Sequence, residues 1–167
     1  AIGDPFQMSI WTEQFTRFPD DRLWGHKIAT LGGGQFFSHG CHYVDLLLWF
    51  LGRPVRGFHI GTNRGTPWME KEGSSNVVLE FENGITAYHF GTWGARGSRL
   101  RSSMHIHGTE GMIDIRVNEG KVLILKFGQP EQVVLDSPGQ KNTHGQMAHF
   151  LECIRTGNRP LTDGIGS

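Results

Sequence analysis

Residues 32–54, Gly-Gly-Gly-Gln-Phe-Phe-Ser-His-Gly-Cys-His-Tyr-Val-Asp-Leu-Leu-Leu-Trp-Phe-Leu-Gly-Arg-Pro, constrain the fold more than any other stretch of the chain. Phe37, Cys41, Val44, Leu48 and Leu51 recur at three- and four-residue spacing, the helical period. Gly52 and Pro54 stop the pattern. A helix this apolar has to be covered by another layer, so the rest of the chain must supply a surface broad enough to hold it.

That surface reads as a sheet. Phe6, Met8 and Ile10 alternate in a first strand over 6–16, and further strands are expected over 55–63, 76–81 and 85–93. Glu82-Asn83-Gly84 between two apolar runs is a strong hairpin signal. Residues 100–107 set Met104 and Ile106 against His105 and His107, the mark of a half-buried strand; runs at 112–117, 121–127 and 132–135 follow. Residues 143–156 form a second helix with Gly157 just past its end. Residues 18–30 read as a loop, and so does the last stretch, 161–167. The expected fold class is therefore α+β: a mainly antiparallel open sheet, helices packed on one face, and the other face open for oligomerisation. Trp68, Tyr88, Phe90 and Trp93 are candidates for that open face.

At 167 residues one domain is expected, with about 70% of its unfolded surface buried. The 24 glycines are spread through turn signals and form no repeat. Basic and acidic residues balance at 16 each, which argues against nucleic acid or an anionic membrane as partner. Cys41 and Cys153 lie far apart without a CxxC neighbour and read as free thiols. The amino-terminal residues lack a signal-peptide pattern, so the expected compartment is the cytoplasm. Both ends read as cuts through a longer protein.

Ser38, His42 and Asp45 follow i, i+4, i+7 and share one helical face, while His39 points about a quarter-turn from Ser38. Polar side chains on so apolar a helix are costly to bury without partners. Imidazole is suited to moving a proton near neutral pH, but a core histidine bonded to a backbone carbonyl fits the same pattern. A metal site built from His39, Cys41 and His42 fits poorly, because adjacent helical residues diverge. Gly32-Gly33-Gly34 lacks the spacing of a dinucleotide or P-loop cradle; such glycines let a ligand or a neighbouring domain approach the backbone. Arg96, Arg99 and Arg101 cluster at a strand entrance, either as an anion clamp or as a solvated edge.

The run Gly32-Gly33-Gly34, Gly40-Cys41-His42-Tyr43-Val44-Asp45 and Trp49-Phe50-Leu51-Gly52 resembles the signature helix of the Gfo/Idh/MocA oxidoreductases. The resemblance continues through Phe81-Glu82-Asn83-Gly84, Gly108-Thr109-Glu110-Gly111, residues 150–157 and Pro160-Leu161-Thr162-Asp163-Gly164. It implies that residues 1–167 are a single C-terminal substrate and oligomerisation domain, with the amino-terminal Rossmann domain and the final helix absent. It also implies NAD or NADP in the full-length enzyme, none bound by this chain alone, and a sugar, sugar derivative or cyclic polyol as substrate. A homodimer or homotetramer would form through the open sheet face.

The same resemblance makes His42, His39 and Ser38 the catalytic candidates and Trp24, Gly33, Gly34 and Asp45 the substrate-binding ones. His42 matches the histidine of the family's catalytic pair. Ser38 stands where the family usually has an aspartate, and a hydroxyl cannot supply the charge that stabilises an imidazolium. A non-catalytic oligomerisation scaffold and an NAD-dependent glycosidase, the latter on the short Ser38-His39-Gly40 match, are the alternative functions.

Overall fold

Period-two alternation in the first strand decides the layering. In the computed structural model, which describes residues 1–137 and 142–161, Met8 and Ile10 of β1 (Pro5–Glu13) are fully buried on one face. The neighbouring Trp11 points to the other face, against Tyr88 and Phe90. After β1 come a 3₁₀ turn (Asp20–His26), α1 (Ile28–Leu31), a single π-helical turn (Phe36–Gly40) and α2 (Cys41–Leu51). Seven strands follow: β2 (Pro54–Thr62), β3 (Ser74–Phe81), β4 (Thr86–Thr92), β5 (Ser102–Gly108), β6 (Gly111–Arg116), β7 (Lys121–Leu125) and β8 (Gln132–Asp136). The last element is α3 (Thr143–Thr156).

The eight strands form one sheet in the order β2-β3-β4-β1-β5-β6-β7-β8. Only the β1–β4 pair is parallel; every other neighbour is antiparallel. A parallel neighbour cannot be reached by a tight turn, so the chain leaves β1 and crosses over through α2 before returning by β2 and β3. That crossover lays the apolar helix on the centre of the sheet. Leu47 is completely buried with Met8, Ile10, Phe81 and Ala87, and Tyr43, Leu46, Leu48 and Leu51 pack around them.

The elements expected from the sequence are present, with boundaries shifted by a few residues. Gly52 caps α2 at φ 84°, and its N–H donates to the Leu48 carbonyl at 2.8 Å. The Asn83-Gly84 turn closes with Gly84 at φ 78° and its N–H on the Phe81 carbonyl at 2.9 Å. The stretch 18–30, read as a loop, holds the 3₁₀ turn and the short α1 instead. Tyr88 and Phe90 do lie on the open face, but Trp93 does not: its odd position sets it with His89 and Gly91 on the helix side, where it is buried against Phe18 and His39. Trp68 sits in the β2–β3 connection, edge-on to Phe15 and beneath Arg17 and Arg96. Residues 162–167, read as a loop, lie outside the described residues.

The helix-to-sheet contact should dominate stability. Leu47→Ala is expected to cost about 2–5 kcal/mol in urea unfolding, whereas Trp49→Ala, at a position 60% exposed on the same helix, should change stability by no more than about 1 kcal/mol.

Candidate functional site

The amino-terminal end of α2 rests on the carboxyl ends of β1 and β4, and a polar layer lies between them. Gln35 begins it. Its backbone N–H donates to the Glu72 carbonyl at 2.7 Å, and its side chain is fully buried. It fits because residue 91 is glycine: a Cβ there would stand 2.2 Å from Gln35 Nε2. The same Nε2 lies 3.4 Å from His39 Nδ1. His39 meets Tyr43 edge-on at 5.1 Å, and Tyr43 stacks on His89 with rings 5.6 Å apart and 10° from parallel. His89 Nε2 is 3.4 Å from Thr12 Oγ1.

This layer holds the His89 imidazole neutral. Burial, and secondarily the nearby His39, push the His89 pKa down from 6.5 to about 4. Burial likewise raises the Tyr43 phenol above its ordinary value, against the opposing pull of Ser102. Among the described residues, Gln35 Oε1 and His89 Nδ1 have no hydrogen-bond partner. Two unmet buried atoms are costly, and they lie where the π-helical turn widens the start of the helix.

The helical face expected to carry Ser38, His42 and Asp45 is the flank turned away from the core. Ser38 and Asp45 are half-buried and His42 is exposed. His39 takes the other direction and turns toward the sheet, so the two histidines are separated. Gly33 and Gly34 make room for this chain's own side chains. A Cβ at Gly33 would lie 2.6 Å from the Phe37 Cβ, and one at Gly34 would lie 2.1 Å from the Glu72 carboxyl carbon. With a carboxylate filling it, this turn offers no cradle for a phosphate. Trp24 is half-exposed on the 3₁₀ turn with Phe18 5.6 Å away, and its carbonyl accepts from Thr30 Oγ1 at 2.7 Å. Cys41 is exposed, Cys153 is buried, and both are free thiols. No three His, Cys, Asp or Glu side chains among the described residues are grouped to hold a metal ion.

Gln35, Tyr43, His89 and Thr12 escaped the sequence reading. The signal for His89 and Thr12 was present in the strand alternation, which sets both on the inward face. Their meeting depended on the parallel β1–β4 register, Ile10↔His89 and Thr12↔Gly91.

The fold is thus an open α+β sheet with a glycine-preceded helix across one face, its outer flank bearing the exposed His42. The model of the GFO/IDH/MocA C-terminal domain matches residues 1–114, and the chain belongs to that family. No curated protein sequence matches it. Among solved structures it is similar to the aldose-aldose oxidoreductase from Caulobacter crescentus complexed with glycerol, at 24% identity and TM-score 0.78, covering 99% of this chain and 50% of that one. It is similar to an oxidoreductase from Agrobacterium radiobacter in complex with NAD+, L-tartaric acid and magnesium, at 18% identity and TM-score 0.76, covering 99% and 51%. It is similar also to the WlbA dehydrogenase from Bordetella pertussis in complex with NADH and UDP-GlcNAcA, at 20% identity and TM-score 0.75, covering 99% and 48%. At these identities the likeness establishes the fold, and the chain spans about half the length of each of these structures.

The buried His89 gives the fold a pH dependence with a defined sign. Its folded pKa, about 4, lies below the ordinary 6.5, so acid protonates the unfolded chain first. The stability it protects is complete above pH 6.5 and is lost progressively as pH falls toward 4. The full span amounts to about 3 kcal/mol. Urea unfolding across that range should show this acid-side loss, and His89→Gln should remove that component.

Proposed function

We propose that this chain is the substrate-side and assembly domain of an NAD(P)-dependent oxidoreductase that acts on a sugar, a sugar derivative or a cyclic polyol. The observation that carries the reading is the exposed imidazole of His42 on the outer flank of α2, in a chain that belongs to the GFO/IDH/MocA C-terminal domain family. The glycerol complex of the Caulobacter enzyme and the nicotinamide complexes of the Agrobacterium and Bordetella proteins support a polyhydroxyl substrate and a nicotinamide cofactor.

The hydride chemistry would come from the nicotinamide, held by a domain outside this chain. The part left to this chain is proton transfer and positioning. His42 accepts the proton of the substrate hydroxyl as the carbon–hydrogen bond gives up its hydride, so that a carbonyl forms. Ser38 and Asp45, half-buried on the same flank, frame it. With serine at position 38, no carboxylate stands one turn before His42, and the charge of an imidazolium there is left to solvent and to the covering domain. His39, turned inward against Gln35 and Tyr43, shapes the helix start. Trp24, half-exposed on the 3₁₀ turn, offers an aromatic face on which a sugar ring can stack.

The open sheet face suits assembly into a homodimer or homotetramer. Phe58, Ile60 and Val78 are 65%, 57% and 47% exposed, beside Trp11, Tyr88 and Phe90. Adjacent exposed apolar side chains of this size favour burial against a partner.

Nicotinamide absorbance with a panel of polyols, measured on the full-length protein, tests the activity. His42→Ala is expected to lower kcat by roughly 10²–10⁴-fold with a smaller change in KM; unchanged turnover would remove His42 from the mechanism. Trp24→Ala should raise KM several-fold with kcat nearly kept, and an unaltered KM would dismiss the stacking role.

A further inference from the structure

The sheet face opposite α2 has a polar cavity that the proposed oxidoreductase site does not use. It measures about 700 Å³ and lies where β5 and β6 meet the 98–101 loop, lined by Arg99, Arg101, Ser103, His105, Asp114 and Arg116 among others. The register Ser103↔Arg116 and His105↔Asp114 brings these side chains onto one face.

Charge is unevenly satisfied within it. Arg116 Nε donates to Asp114 Oδ2 at 2.9 Å, and its Nη1 lies 3.7 Å from Glu119. His105 Nε2 stands 3.4 Å from Asp114 Oδ1, near enough for ion pairing but outside hydrogen-bond geometry. Burial lowers the His105 pKa, so its ring is neutral near pH 7, and Arg116 is the cation that stands against both Asp114 and Glu119. Arg99 and Arg101 have no ion pair among the described residues. Ser103 is 4% exposed, and its hydroxyl, on the cavity wall, has no hydrogen-bond partner there. A buried hydroxyl left unpaired costs free energy unless something else meets it.

The loop carrying the two arginines is built with care. Glu13 Oε2 accepts from Ser98 Oγ at 2.6 Å and from the Leu100 and Arg101 backbone N–H groups at 3.2 Å. These bonds hold Arg101 at φ 51°, the sole non-glycine residue with positive φ among the described residues. Glycine would take that backbone with less strain, so the conformation stands against the steric preference of the residue that occupies it.

We propose that this cavity is a binding site for a small phosphate-bearing ligand, with Arg99 and Arg101 opposing its charge and the Ser103 hydroxyl donating to a phosphate oxygen. Arg99 and Arg101, which no carboxylate among the described residues engages in an ion pair, are placed to meet an anion, and the planar fork of arginine fits phosphate oxygens. The site lies across the sheet from His42 and is independent of the hydride chemistry.

Titration of the full-length protein with inorganic phosphate, followed by calorimetry against a chloride control, tests it. Saturable binding is expected. Arg101→Gly should weaken it by roughly tenfold or more while leaving the melting temperature equal or higher, since the substitution relieves the positive φ. Arg99→Ala, at an exposed position, and Ser103→Ala should weaken it too, and Arg53→Ala should not. Absence of saturable binding overturns the proposal, as does affinity that survives Arg101→Gly and Arg99→Ala unchanged.

Discussion

The contact between α2 and the β1–β4 pair is the one on which the rest of the structure depends. Leu47 pressed onto Met8, Ile10, Phe81 and Ala87 fixes the helix over the centre of the sheet. Because β1 and β4 run parallel, the chain must cross over between them, and the apolar helix is that crossover. Its burial therefore secures the strand order as well as the core. From this one arrangement follow the direction of the outer flank, the inward turn of His39 and the exposure of the opposite sheet face.

At its apolar end the contact is ordinary core packing; at its polar end it is held by shape and partial hydrogen bonding. Gln35 enters because Gly91 has no side chain, and His89 stays neutral because it is buried. The layer leaves two polar atoms unmet among the described residues, a cost the apolar end must offset. This polar layer joins the sheet to the helix turn from which Ser38 and His42 project. Thr12, His89, Tyr43, His39 and Gln35 form one continuous run of contacts between the sheet and that turn.

The two faces of the sheet have separate characters. The helix side holds the core and the His42 flank. The open side carries an aromatic and aliphatic patch on β1 to β4 and, toward β5 and β6, a cavity rich in arginine. The apolar residues Met147, Phe150, Leu151 and Ile154 of α3 are also more than half exposed. Apolar side chains are thus exposed on both the open sheet face and α3, and the chain spans about half the length of the structures it resembles.

Local chemistry made the elements legible in the sequence. Periods of 3.6 and 2 marked α2 and the strands, and Gly52, Asn83-Gly84 and Gly157 marked their ends, because each feature depends on residues close along the chain. The face shared by Ser38, His42 and Asp45 was readable for the same reason. What only the tertiary structure decided were the meetings between distant residues. The parallel β1–β4 register set Thr12 beside His89, and the crossover put Gln35 over Gly91. Glu72 took the space beside Gly34 that the sequence left open for a ligand, and the Glu13 carboxylate drew Arg101 to a positive φ above a buried Ser103. Such pairings are set by strand register and chain crossover, and no periodicity along the chain encodes either.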